Sequence, residues 1–259
     1  MFFIDVQGTL IDDNNKQPIC GAVAFIDHLN ASNIPYIVIT NSTKYASSDF
    51  LAYLNSIGLN IPREHYLDPL MVLERFIAPN DKIAAYGAQS FLDVLVSMGY
   101  TLDYTQPNAV LIAIKENFSH DEYAQMIEFI LSGARLIGMH ETSLYVKDHK
   151  RYPGVGAILK MLEFATSCPY TVVGKPSHSF FDEALLRIGQ QQHGAAFEDI
   201  TIISDDMSGD LLGAQALGMR GIFVLSGKYR SETEILPQLD QDQQPHAVYA
   251  NMQEVLESL

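Results

Sequence analysis

Four short stretches of the sequence set polar or charged residues directly after runs of apolar, β-forming ones. The first, Asp5-Val6-Gln7-Gly8-Thr9-Leu10, follows the run FFI. A carboxylate at the end of a strand can attack phosphorus, splitting a hydrolysis into two easier steps. Gly8 and Thr9 suit a tight turn away from the strand. Taken alone, an aspartate at such a junction is as often structural as functional. The second is Thr40-Asn41, after YIVI. A hydroxyl, an amide and the N–H groups of a helix start can hold phosphate oxygens without formal charge, although N-capping of the next helix is the plainer reading of the pair. The third is Gly174-Lys175-Pro176. Pro176 keeps Lys175 out of the helical region, so its ammonium is expected to project from a strand end, with Ser177 capping the next helix. A lysine there could neutralise both a nucleophile and a transferring phosphoryl group; a solvated surface lysine is the alternative. The fourth is Ser204-Asp205-Asp206-Met207-Ser208-Gly209-Asp210. Clustered carboxylates at a strand end repel unless a cation relieves them, and hard oxygen ligands suit Mg²⁺; a solvated acidic loop would look the same in isolation. Each stretch is weak by itself. All four, in this order and each on a strand end, are strong together.

The elements that must position them alternate. Residues 2–4 lead into a glycine turn and 21–29 read as a helix; 36–40 are a buried strand and 49–57 a helix. Residues 200–203 and 221–225 read as further buried strands, with a helix over 210–217 between them. Continuous apolar strands separated by helices imply a parallel sheet covered on both faces. The fold class expected is therefore α/β, a doubly wound, Rossmann-like core whose ligands belong at the carboxyl ends of its strands. The middle repeats the alternation: strand 82–86, helix 90–98, strand 109–114, helix 120–131, a polar loop over 139–151, and helix 155–165. A smaller α/β cap is accordingly expected at 81–171, inserted into a core of 1–80 and 172–259. Residues 239–244 (LDQDQQ) read as a solvated loop.

Composition restricts the partners. The 259 residues carry 31 acidic against 16 basic side chains, a net charge of −15, which leaves no basic face for nucleic acid or an anionic membrane. Cys20 and Cys168 are too few and too distant in sequence for a disulfide framework or a zinc site. The start MFFIDVQGTL lacks a basic signal region, and no apolar run is long enough to span a membrane. A cytoplasmic protein is expected. The eight histidines are scattered, with no pair at metal-ligand spacing beside an acidic partner. The 139–151 stretch, with His140, Lys147, Lys150 and Arg151, is the candidate specificity loop of the cap, or else an ordinary polar hairpin.

Asp5 with Gly8-Thr9, Thr40-Asn41, Gly174-Lys175-Pro176, and Asp205 with Asp210 resemble the four motifs of the haloacid dehalogenase superfamily, in its class IIA branch with a type-2 α/β cap. The match runs over essentially the whole chain. Tyr152 to Ala157, Phe180 to Leu185, Gly213-Ala214-Gln215 and Leu225 to Tyr229 are similar to the haloacid dehalogenase-like hydrolase domain-containing and phospholysine phosphohistidine inorganic pyrophosphate phosphatase subgroup. The resemblance implies an aspartyl-phosphate on Asp5, phosphoryl binding by Thr40 and Asn41, and positioning by Lys175. It implies Mg²⁺ between Asp5, the main-chain carbonyl of Gln7 and Asp205, with Asp210 in support. A small phosphorylated substrate is expected, with the cap closing over the core to exclude water and choose the leaving group. Homodimerisation through the cap is common in the branch.

Two residues depart from the pattern. The aspartate usual two positions after the nucleophile is Gln7 here, and glycine before the metal-binding aspartate is Ser204. An amide cannot exchange a proton at neutral pH, so general acid–base catalysis, worth on the order of 10²–10⁴-fold, is weakened. Leaving groups that need no proton, such as nitrophenolate, phosphoramidate-like species or an acyl phosphate, suffer least. The named subgroup also lacks that aspartate, generally having serine. The expectation is a slow or leaving-group-selective phosphatase. Its competitors are a catalytically silent phosphate- or Mg²⁺-binding protein and, against the cap type and the retained metal residues, phosphonate or carbon–halogen cleavage.

Overall fold

Short apolar runs become parallel strands along the whole chain, which a computed structural model describes at residues 1–147 and 150–259. The first elements are β1 (Phe2–Asp5), α1 (Ala22–Ala31), β2 (Tyr36–Ile39), α2 (Ser47–Ser56), β3 (Tyr66–Leu67), β4 (Lys82–Tyr86), α3 (Gln89–Ser97) and β5 (Thr101–Leu102). Then come β6 (Ala109–Ile112), α4 (His120–Leu131), β7 (Arg135–Gly138), β8 (Leu144–Lys147), β9 (Lys150–Pro153) and α5 (Val155–Thr166). The last are β10 (Tyr170–Val172), α6 (His178–Gln191), β11 (Thr201–Ser204), α7 (Leu212–Ala216), β12 (Arg220–Val224), β13 (Ala247–Tyr249) and α8 (Met252–Glu257). They fall into two units, one of Met1–Thr40, Ser48–Leu67 and His178–Leu259, the other of Asn41–Ser47 and Asp68–Ser177.

The first unit holds a six-stranded sheet in the order β13-β12-β11-β1-β2-β3, every pair parallel. Numbered by appearance within the unit, this is the doubly wound order 6-5-4-1-2-3, whose direction of winding reverses between β1 and β11. Phe3 and Ile4 pair with Ile202 and Ile203 on one side and with Ile37 and Val38 on the other, and all six are fully buried. Their register brings Asp5 level with Ser204, so the carboxyl ends of both strands open at the switch point. Ligands of such sheets bind there.

The second unit repeats the parallel rule with a five-stranded sheet, β10-β7-β6-β4-β5. Val110, Ile112 and Leu136 of the sheet share a core with Met126 and Ile130 of α4 and Leu159 and Leu162 of α5. Ser119 starts α4 with a reciprocal capping box to Glu122, satisfying two otherwise orphaned N–H groups. Much of the polar stretch expected over 139–151 is a two-stranded antiparallel hairpin, β8 with β9, in which Tyr145 stacks on Tyr152 with ring centroids 5.5 Å apart. Positions 148 and 149 of that stretch lie outside the described residues. β7, too, is a strand that periodicity did not single out, because Arg135–Gly138 is brief and follows α4 after three residues.

Candidate active site

At the switch point of the first unit, β1 ends on Asp5, and the backbone turns at once: the N–H groups of Leu10 and Ile11 both donate to the Val6 carbonyl at 2.9 Å. Gly8 takes φ +80° in this turn, a conformation that favours glycine. Asp5 is buried, 5% exposed. The Thr9 hydroxyl lies at the centre of the arrangement. It donates to Asp5 Oδ2 at 3.3 Å and accepts from the Asp205 N–H at 3.1 Å, linking residues 196 apart in sequence across the two strand ends.

After β11 the chain folds tightly. Asp206 Oδ1 accepts from the Gly209 N–H at 2.9 Å, and Ser204 Oγ donates to Asp210 Oδ2 at 2.7 Å while accepting from the Asp206 N–H at 3.0 Å. The helix expected over 210–217 therefore begins as a wide π turn at Met207–Leu211 and becomes α only at Leu212. Side-chain bonds to the backbone have displaced the α-helical start. Ser204 is thus an active part of the turn, holding the carboxylate that a glycine could not reach.

A third segment closes on the same point. The Lys228 N–H donates to Asp205 Oδ2 at 2.6 Å, and its ammonium pairs with Asp206 at 3.0 and 3.1 Å. Ser226 Oγ donates to the Gly8 carbonyl at 2.7 Å. Glycine is required twice here: a Cβ on Gly8 would lie 2.2 Å from Asp205 Oδ2, and one on Gly227 would lie 2.0 Å from it. Thr9, Ser226 and Lys228 carry no signal in the sequence beyond a turn and a family-like string, because their partners come from distant segments.

The electrostatics call for a cation. Burial, then the charges of Asp5 and Asp206, push the Asp205 carboxyl well above the ordinary carboxylate range, with the Lys228 N–H opposing. Burial works against the Lys228 ammonium, but the charge and hydrogen bond of Asp206, with Tyr229 and Asp205 adding, shift its pKa upward. Among the described residues, no group of three or more His, Cys, Asp or Glu side chains is placed to hold a metal ion. Two carboxylates, Asp5 and Asp205, completed by a main-chain carbonyl and water, form the smaller oxygen set that Mg²⁺ tolerates. The buried, mutually repelling pair, held where Gly8 and Gly227 let the backbone approach Asp205 closely, fits such an ion.

Thr40, at the end of β2, donates its hydroxyl to Gln7 Oε1 at 2.8 Å. The first unit therefore brings together Asp5, Gln7, Thr40 and Asp205, with Asp210 attached through Ser204. The second unit brings together the other two sequence candidates. Lys175 donates its N–H to Asn41 Oδ1 at 2.9 Å, and Asn41 Nδ2 donates to the Lys175 carbonyl at 3.4 Å. The lysine side chain is 1% exposed rather than projecting freely, and its bond to Pro176 is cis. The Ser177 hydroxyl donates to the Val173 carbonyl at 3.1 Å. His140, also buried, keeps a neutral ring: burial, with the Lys175 charge adding, pushes it down to about 4.

Known proteins share this plan. The chain is 31% identical to haloacid dehalogenase-like hydrolase domain-containing protein 2 of Bos taurus over 263 aligned residues, 98% of this chain and 96% of that one. The chain belongs to the haloacid dehalogenase-like hydrolases. That family's model matches residues 2–101, and a second, HAD-hydrolase-like model matches residues 172–255. This haloacid dehalogenase-like hydrolase is also 29% identical to the phospholysine phosphohistidine inorganic pyrophosphate phosphatase of Mus musculus, over 92% of this chain and 87% of that one. Its fold matches the p-nitrophenyl phosphatase of Archaeoglobus fulgidus with a TM-score of 0.84, at 23% identity, over 100% and 98% of the two chains. Within the superfamily these relatives put the hydrolase in the class IIA branch. No helix among the described residues is long and apolar enough to cross a membrane.

Proposed function

We propose that this chain is a Mg²⁺-dependent phosphatase that transfers a phosphoryl group from a small phosphorylated metabolite to Asp5 and then to water. The observation that carries this is the buried Asp5–Thr9–Asp205 linkage at the sheet's switch point, where the Asp205 carboxyl is driven up by burial and like charge. The named phosphatases among the relatives support the reaction class.

In this reading one Asp5 oxygen forms the bond to phosphorus as the leaving oxygen departs with the P–O electron pair, and water later cleaves the aspartyl-phosphate. Thr9 fixes Asp5 through its hydroxyl hydrogen bond, 3.3 Å long, and so pre-orients the attacking oxygen. Asp5, the Gln7 carbonyl and Asp205 would hold Mg²⁺, with Asp210 in support. When bound, the ion offsets the negative charge shared by these carboxylates and the phosphoryl oxygens. Thr40, Asn41 and Lys175 are assigned to the phosphoryl group, with Lys175 supplying a side-chain cation. Catalytic core and cap are assigned to 1–80 with 172–259 and to 81–171, and the two free cysteines suit a reducing cytoplasm.

Gln7 sets the selectivity. Its amide oxygen accepts from Thr40 at 2.8 Å, so the side chain is held, yet it has no proton to give a leaving alkoxide at neutral pH. Turnover should therefore favour leaving groups stable as anions or carried as phosphoramidates and acyl phosphates. Phosphate release across esters, phosphoramidates and acyl phosphates, with and without Mg²⁺ and against an Asp5→Asn control, tests the proposal. Release that needs both Mg²⁺ and Asp5 supports it. Release no faster than the control on every class would leave a phosphate- or Mg²⁺-binding protein in its place.

A further inference from the structure

Asn41 follows Thr40 directly and shares its assignment to the phosphoryl group, but its carboxamide is already engaged. Oδ1 accepts from the Lys175 N–H at 2.9 Å, and Nδ2 donates to the Lys175 carbonyl at 3.4 Å, so one side chain meets both main-chain polar groups of one residue. The contact is built into its surroundings. A Cβ on Gly174 would lie 2.5 Å from Asn41 Oδ1 and 2.7 Å from the Met139 carbonyl, so only glycine lets the amide approach. The neighbouring N–H groups are taken by the strand ladder, Val173 to Gly138 and Gly174 to Met139, both at 2.9 Å. At the next residue the Lys175 N–H donates to the Asn41 carboxamide, while the Glu141 N–H shares the Lys175 carbonyl at 3.3 Å.

We propose that Asn41 is a positioning residue for Lys175, its carboxamide extending the ladder by one residue so that the backbone bearing the buried ammonium stays in one register. The proposal rests on the phosphatase reading only for what Lys175 then does. A buried ammonium is costly to hold without fixed compensation, and a displacement of a fraction of an ångström at a charge aimed at phosphate weakens it sharply. Asn41 thus acts on the substrate through Lys175, which narrows its assignment to the phosphoryl group from a direct contact of its carboxamide to an indirect one.

The test has two parts on the full-length chain. In the first, amide hydrogen exchange at Lys175 is followed by NMR in the unaltered protein, Asn41→Ala and Asn41→Asp. Loss of the hydrogen bond should speed exchange at Lys175 roughly tenfold in Asn41→Ala, leaving Gly174 unchanged. Asn41→Asp, which keeps an acceptor oxygen, should retain the protection. Exchange at Lys175 that does not respond to Asn41→Ala, or that rises equally at Gly174, overturns the proposal whether or not the chain is a phosphatase. In the second, the affinity for inorganic phosphate in the presence of Mg²⁺ is measured in a double-mutant cycle with Lys175→Met. Asn41→Ala should weaken binding roughly tenfold when Lys175 is present and have almost no effect in the Lys175→Met background. An equal loss in both backgrounds would make Asn41 a direct phosphate ligand and overturn the positioning role. An unaltered protein that binds no phosphate would count against the phosphatase reading, and the exchange result would still decide the clamp.

Discussion

His140 gives this protein an acid-sensitive step whose size follows from its burial. The ring is 6% exposed, its Nδ1 accepts from the Thr142 N–H at 3.4 Å, and burial with the nearby Lys175 charge lowers its pKa from 6.5 to about 4. The folded value lies below the unfolded one. The unfolded chain therefore takes up the proton first, and stability falls as pH drops from about 6.5 toward about 4. The whole interval corresponds to about 3.4 kcal/mol, of which about 2 kcal/mol has gone by pH 5. Above pH 7 both states are neutral at this ring and the effect vanishes. His140→Gln keeps an acceptor for Thr142 and removes the titration. Urea denaturation followed by circular dichroism at pH 7.5 and pH 5.0 would give the stability of both proteins. Any packing cost of the substitution is common to both conditions, so the difference of differences isolates the imidazole. The unaltered chain should lose about 2 kcal/mol more than His140→Gln between the two pH values. Equal losses would refute the claim that His140 is held neutral.

Three further outcomes follow from the site. Gln7→Asp places an ionisable group where burial and the neighbouring carboxylates would raise its pKa toward that of a proton donor; phosphate release from alkyl esters should rise on the order of 10²–10⁴-fold and from nitrophenyl phosphate much less, and unchanged rates would show that Gln7 is not the missing acid. Gly227→Ala forces a Cβ to within 2.0 Å of Asp205 Oδ2, so the Mg²⁺ concentration for half-maximal release should rise at least about tenfold, with a stability loss of about 1–3 kcal/mol in thermal melts; an unmoved Mg²⁺ dependence would count against Asp205 as a ligand. Thr43 buries a hydroxyl with no hydrogen-bond partner, so Thr43→Val should leave stability unchanged or raise it by about 1 kcal/mol, whereas a clear loss would reveal a partner the geometry lacks.

The strands were legible because parallel, doubly covered strands must be apolar throughout: YIVI and FFI could hardly be anything else between turn residues. Asp5, Lys175 and Asp205 were legible because their residue types recur at strand ends, where an α/β sheet puts chemistry. The links among them were not. Thr9 reads as a turn residue until Asp205 arrives from 196 positions away, and Lys228 reads as a surface lysine until Asp206 faces it across 22. Asn41 was legible as polar and well placed, but the partner of its carboxamide is 134 residues distant. Local rules also failed where side chains outcompeted the backbone. Asp206 and Ser204 bond within their own turn, and an expected helix start became a π turn.

The replacement at position 7 and the acidic character of the chain bear on the same problem. A protein of net charge −15 has little long-range attraction for a phosphorylated substrate, so the field at the site must be set locally. The Asp205 carboxyl is already pushed up by burial and by the charges of Asp5 and Asp206, and the Lys228 ammonium is paired with Asp206. A fourth carboxylate at position 7 would add to that repulsion whenever Mg²⁺ is absent, whereas Gln7 offers a neutral amide that Thr40 fixes at 2.8 Å. Gln7 should therefore ease the assembly of the metal-free site while weakening proton transfer to the leaving group. On that account Gln7→Asp should be less stable than the unaltered chain without Mg²⁺ and should recover more stability when the ion is added, since ligand binding stabilises the folded state in proportion to its affinity there. Equal Mg²⁺-induced shifts in melting temperature for the two proteins would separate the charge at position 7 from the metal site altogether.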